Sequence, residues 1–260
     1  MTFLHNSDLY ADPTLAEGRD YARRYRRHER FDDTVARTDD VPKTTILAPH
    51  GGGIEPGTSE LCLAVAGYHP ANLAPAGVTY DYWMFEGLWE DDNTALHVTS
   101  TGCDDGVAVL LCAGSLNALA LHGKNGQQED VLVGGGNDTL RQYLGNGLRD
   151  VGFVVIDAGG NAGGNPDLDG PDLDGNNPCN IVNRTLRARP QPSTGPLGMG
   201  AQLELSNGLR RAMFTKFTRS GRKLTTTQLF WTFVAVCRDA LDRLQAEQVG
   251  LTPVFRCSES

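Results

Sequence analysis

No run of eighteen apolar residues occurs in this 260-residue chain, and no charged start leads into a long apolar stretch. Neither a membrane span nor a cleaved leader is therefore expected. Close Cys-x-x-Cys pairs are also missing. Cys62, Cys103, Cys112, Cys179, Cys237 and Cys257 are dispersed, which predicts mostly free thiols, with at most one bridge among the more exposed ones. Positive charge is in short supply. The formal charge is -9, although a local basic cluster lies in the first thirty residues. That balance argues against a general nucleic-acid surface. Nor is there the composition of extensive disorder, because apolar and β-branched runs recur from residue 44 onwards.

What remains fits one large α/β domain covering residues 1–260, with residues 1–40 as an N-terminal extension packed on it. The segment Tyr21 to Arg30 reads as a short helix or an irregular strand, and pairing with nearby Asp residues explains its arginines more simply than an anion site does. Lys43 to Ala48 passes from polar to continuously apolar and predicts a central, covered strand. A helix should follow, capped by Thr58 or Ser59 and stopping near Gly67. Tyr80 to Glu86 is aromatic and suits a core strand or a cleft wall; Ala95 to Thr99 reads as another short strand. Further on, Val131 to Val133 and Gly152 to Ile156 predict strands either side of a helix from Asp138 to Leu148.

Residues 157–200 are dense in Gly, Pro, Asn and Asp and predict a long rim loop. Its DLDG repeat at 167–175 is too short, and too interrupted by Pro171, for a helix-loop-helix calcium site. It reads as an acidic turn. Gln202 to Ser206 alternates polar and apolar residues, so one face can enter the core while Gln202 and Glu204 share the other. A long final helix should start at Thr225 or Thr227.

The segment Ile46 to Glu60, ILAPHGGGIEPGTSE, organises the rest. An apolar strand ends at His50, and three glycines carry the chain to Glu55, close enough for both side chains to converge on one ion. A second apolar segment ends in the same way at His122-Gly123. Strand ends of an open α/β sheet meet at one crevice, so His50, Glu55 and His122 form a three-ligand set that leaves one zinc position open. Glu204 is the candidate base for proton transfer to and from an amide. Glu60 is the weaker alternative, read as a surface acid in the first turn of its helix. His97 competes with His122 as third ligand but has no glycine after it and suits a buried, hydrogen-bonded histidine.

These blocks, together with YWMFEG at 82–87, LHVTS at 96–100, LHG at 121–123, VLVGG at 131–135, NIVNR at 180–184 and QLELS at 202–206, resemble in order the poly-gamma-glutamate hydrolase family. The resemblance runs from about residue 40 to residue 212. It implies a three-layer α/β/α sandwich with a mixed central sheet, like a compact zinc carboxypeptidase. It also implies a Zn²⁺ set at His50, Glu55 and His122, with Glu204 as the catalytic carboxylate. Arg210 and Arg211 fall where the family has a basic position, and Arg184 is a further anchor; each is a candidate grip for a substrate carboxylate. The implied partner is gamma-linked polyglutamate or a related acidic peptide, met by a monomer that is cytoplasmic or released on phage lysis. A zinc amidase acting on peptidoglycan stems or short gamma-glutamyl peptides is the alternative enzyme. A non-catalytic glycan- or peptide-binding module is the alternative of another class.

Overall fold

The computed structural model describes residues 3–28, 44–158, 173–186 and 198–248. Helix α1 (Asn6–Ala11) leads to strand β1 (Tyr21–Arg26), and after residue 43 come β2 (Thr44–Gly52), α2 (Thr58–Val65) and β3 (Asp81–Gly87). A 3-10 turn (Asn93–Leu96), α3 (Gly106–Ala113), β4 (Asn117–Lys124), β5 (Asp130–Gly134), α4 (Asp138–Asp150) and β6 (Val154–Asp157) follow. A second 3-10 turn (Ile181–Asn183), β7 (Gly200–Ser206), α5 (Asn207–Ala212), α6 (Arg219–Arg222) and α7 (Gln228–Glu247) complete it.

The seven strands form one sheet in the order β1-β3-β2-β4-β7-β5-β6. It is mixed: β1 with β3 and β5 with β7 are antiparallel, and the remaining neighbours are parallel. Every residue of β2, β3 and β7 is buried, as their apolar character requires of strands covered on both sides. On one face, Ile46, Leu119, Leu121, Leu203 and Leu205 pack against α2, α4 and α7. Phe230, Phe233, Cys237, Leu241 and Leu244 recur three or four residues apart in α7 and supply that face's cover. The other face packs Leu47, Trp83, Phe85, Ala118 and Ala120 against α1, α3 and the Ile181–Asn183 turn.

Several expectations change in detail. Residues 21–26 join the sheet as an edge strand, and its arginines are engaged locally: Arg23 with Glu17 and Asp105, Arg24 with Glu86. Charged side chains on an edge also discourage further strand pairing. Ala95 to Thr99 is not a strand; a 3-10 turn ends at Leu96, and the chain then runs extended through His97 without pairing in the sheet. Glu60 is buried rather than at the surface, because Arg222, distant in sequence, closes on it at 3.1 Å. Gly57 in a left-handed conformation, not Thr58 or Ser59, precedes the first turn of α2. The described cysteines, 62, 103, 112, 179 and 237, are all free. The first DLDG unit and Cys257 lie outside the described residues.

Candidate metal centre

The register between β2 and β3 shifts between Ala48 and Gly51, and this irregularity carries His50 at the end of the strand. The Glu55 amide donates to the His50 carbonyl at 2.8 Å, closing the five-residue loop and holding the two side chains side by side. Gly52 is required there: its φ is +67°, and a Cβ would collide with the Gly87 carbonyl. The glycine after His122 has a different reason. A Cβ on Gly123 would lie 2.5 Å from the Arg210 guanidinium carbon.

His50 Nδ1 lies 2.8 Å from Glu55 Oε1 and 3.1 Å from His122 Nδ1, and His122 Nδ1 lies 3.7 Å from Glu55 Oε2. Tetrahedral zinc with bonds of 2.0–2.1 Å spaces its ligand atoms by roughly 3.3 Å. The observed separations lie on either side of that spacing, with one Glu55 oxygen turned to each histidine. The outer atoms of these side chains are held as well. His50 Nε2 donates to the Val98 carbonyl at 2.7 Å, His122 Nε2 meets Ser100 Oγ at 3.2 Å, and the Gly123 amide donates to Glu55 Oε2 at 2.7 Å. Such outer partners fix which ring nitrogen faces a metal. His97 also reaches the cluster: a ring nitrogen falls within 4.8 Å of ligand atoms of His50 and Glu55, and its ring centroid is 3.9 Å from that of His50. Both competing histidines therefore stand within reach of the His50–Glu55 pair, His97 with its ring the nearer to His50 and His122 through its Nδ1.

Burial alone would lower the pKa of His50, but the adjoining Glu55 carboxylate outweighs it and the pKa is raised. Both of its nitrogens face oxygen acceptors, and a proton on Nδ1 is what a metal would displace. Burial and the neighbouring His50 charge push His122 well below the ordinary histidine value. The His50 charge, followed by burial, brings His97 down to about 3. The shifts thus run in opposite directions within one cluster, up at His50 and down at His97 and His122.

Glu204 stands opposite His122 in the β4–β7 register and is 4% exposed. Burial, then repulsion from Glu55, raises its pKa well above the ordinary value, with Arg210 and Lys124 opposing. Gln202 Nε2 donates to Glu204 Oε1 at 3.1 Å, and Asn180 Nδ2 donates to Gln202 Oε1 at 2.9 Å, which fixes the orientation of the Gln202 amide. The three arginines diverge. Arg210 is buried and donates to the carbonyls of Leu205, Pro56 and Lys124. Arg184 donates to the carbonyls of Thr101, Cys103 and Cys179, tying the 97–103 segment to the described part of the rim. Arg211 is exposed, bonded to Asn207 in its own helix and stacked over Phe217. Reading along the chain gave no role to Val98, Ser100, Asn180 or Arg222, whose roles are set by distant contacts, although Val98, Ser100 and Asn180 lay in blocks that stood out.

The family model described as poly-gamma-glutamate hydrolase matches residues 22–236. The chain is 32% identical over 221 residues to the SPbeta prophage-derived protein YoqZ of Bacillus subtilis (strain 168), covering 84% of this chain and 69% of that one. It is 30% identical over 201 residues to YmaC of the same organism, covering 77% and 73%. Among solved structures, a bacteriophage poly-gamma-glutamate hydrolase superposes with a TM-score of 0.70 at 26% identity, over 94% of this chain and 98% of that one. A zinc-free form of YndL superposes with a TM-score of 0.68 at 26% identity, over 93% and 98%.

Proposed function

Since this chain belongs to the poly-gamma-glutamate hydrolase family, we propose that it cuts gamma-glutamyl amide bonds of gamma-linked polyglutamate, with one zinc ion held by His50, Glu55 and His122. The observation that carries this reading is the set of short separations, 2.8, 3.1 and 3.7 Å, between those side chains, with Glu204 beside them on the neighbouring strand. The zinc-free form of the similar protein YndL lends support to the choice of ion.

Zinc bound there would lower the pKa of a coordinated water and polarise the scissile carbonyl. The chain's own groups do the rest. Glu204 Oε accepts the proton of the attacking water and returns one to the departing nitrogen. Gln202, itself held by Asn180, keeps that carboxylate aimed at the crevice. Val98 and Ser100 hold the outer nitrogens of His50 and His122, so that their Nδ1 atoms face inward. In this reading Arg211 grips a carboxylate of the polymer. Arg210 and Arg184 contribute chiefly by fastening the walls of the cleft through the carbonyls they bind.

Product analysis tests the proposal. The purified protein is incubated with gamma-linked polyglutamate, alpha-linked polyglutamate and peptidoglycan, with and without a zinc chelator. Short gamma-glutamyl products from the first polymer alone, abolished by the chelator and restored by zinc, are expected. Release from peptidoglycan instead would transfer the substrate to cell-wall stems, and binding without any product would make the chain a recognition module.

A further inference from the structure

Beside the metal centre, against the residue that follows His50, lies a cavity of about 390 Å³, a size usual for small-molecule sites. Ser59 and Glu60 of α2 and Glu86 of β3 form its buried floor, and Arg24 of β1 and Lys223 stand at its partly and fully exposed rim. Gly51 joins the two sites. A Cβ there would come within 3.1 Å of Glu86 Cγ, so the strand end that presents His50 on one side is pressed against the cavity floor on the other.

The charges in this cavity are incompletely matched. Arg222 meets both oxygens of Glu60 through Nε, at 3.1 and 3.2 Å, and the Glu60 amide also donates to its own carboxylate. Arg24 Nη1 alone reaches the oxygens of Glu86, at 3.3 and 3.5 Å. Both carboxylates keep acceptor capacity. At the rim, the remaining donors of the Arg24 guanidinium and the whole Lys223 ammonium have no partner among the described residues. A simple anion would be repelled by the floor, and a simple cation would leave the rim unengaged. One ligand satisfies both: a group carrying an ammonium and a carboxylate on neighbouring atoms. Burial raises the pKa of Glu60 even with Arg222 beside it, so a second cation on the floor would be welcome.

We propose that this cavity is a second binding site, for a free α-amino acid or for a γ-linked amino-terminal residue, which, unlike an α-linked one, keeps both its α-ammonium and its α-carboxylate. The ammonium sits between Glu60 and Glu86, and the carboxylate meets Arg24 and Lys223. That the bound residue is glutamate, as released product or as the amino-terminal end of the polymer, rests on the hydrolase reading; the charge arrangement does not.

Calorimetric titration of the full-length protein with L-glutamate tests this, because free glutamate has no amide bond to be cut. Saturable binding is expected in both zinc-loaded and zinc-free protein. Lys223→Ala, at an exposed position, and Glu86→Gln should each weaken it at least about tenfold, and N-acetyl-L-glutamate should bind wild type at least about tenfold more weakly than L-glutamate. An unchanged dissociation constant in both variants, equal binding of the acetylated compound, or absence of saturable binding would overturn the proposal. Polymer turnover measured alongside separates the two claims. Intact turnover without Lys223-dependent binding removes the cavity alone, and Lys223-dependent binding without turnover of gamma-linked polymer removes the hydrolase reading alone.

Discussion

Strand β7 has two faces that obey different physics. Ala201, Leu203 and Leu205 enter the core beneath α2, α4 and α7 and are fully buried. Gln202 and Glu204, also buried, turn the other way and are held by a chain of side-chain hydrogen bonds from Asn180. The apolar face stabilises by removing surface from water, about 1.5–3 kcal/mol for a fully buried leucine. The polar face takes a carboxylate out of water and returns only part of the desolvation cost. What distinguishes the faces is their cover: α2 with the longer α4 and α7 on one side, and short α1, α3, a 3-10 turn and loops on the other. The thinner cover leaves room for a site at the strand ends.

The comparison makes its largest prediction at Glu204. Glu204→Gln preserves shape and removes the basic oxygen, so turnover of gamma-linked polyglutamate should fall on the order of 10²–10⁴-fold while the fold persists. Steady-state kinetics at matched zinc content check this, and near-normal turnover would move the base to another carboxylate. One residue earlier the expected loss is of stability. Leu203→Ala opens a cavity under α7 and should cost about 2–5 kcal/mol in urea unfolding, with turnover of the folded protein little changed. Loss of turnover with stability intact at Leu203 would erase the distinction between the faces.

The arginines sharpen the same contrast. Arg210→Ala leaves the carbonyls of Leu205, Pro56 and Lys124, the first of them at a buried residue, without this donor and should lower stability by roughly 1–3 kcal/mol. Arg211→Ala should leave stability alone and weaken polymer binding more at low than at high salt. Stable Arg210→Ala protein with weakened binding would return that residue to the role of a substrate grip. A smaller effect concerns pH. The pKa of Glu204 is raised above its ordinary value of 4.5 in the folded chain, burial being the main cause. Folding therefore favours its protonated form. Stability from this group is present below 4.5 and lost as pH rises through the folded value. Zinc-free wild type should therefore lose stability between mildly acidic and neutral pH, and Glu204→Gln should flatten that part of the profile; an equal slope in both proteins would contradict it.

What could be read from the chain follows the range of the forces involved. The alternation of β7, the apolar run of β2 and the spacing in α7 are local patterns, and each became the expected element. His50 and Glu55 were legible because five residues and a tight loop bring them together. The Ala95 to Thr99 stretch misled because its apolar residues are covered by α1 and α3 rather than by strand pairing. Glu60 read as a surface acid because nothing near it in sequence announces Arg222. Arg184 and Arg210 could be read only as candidate grips, because the carbonyls their guanidinium groups bind can be found only in the folded chain. Val98 and Ser100 lay in the LHVTS block, but their role was not legible, since a backbone carbonyl and a lone hydroxyl become outer partners of the histidines only through their position.

Zinc stoichiometry across four proteins tests the central claim most directly. Wild type, His122→Ala, His97→Ala and Glu204→Gln are purified in parallel, and their metal content is measured after equilibration with limiting zinc. About one equivalent is expected in wild type, retained in Glu204→Gln, largely retained in His97→Ala and markedly reduced in His122→Ala. Full occupancy in His122→Ala, with the loss appearing in His97→Ala instead, would contradict the His50, Glu55 and His122 centre.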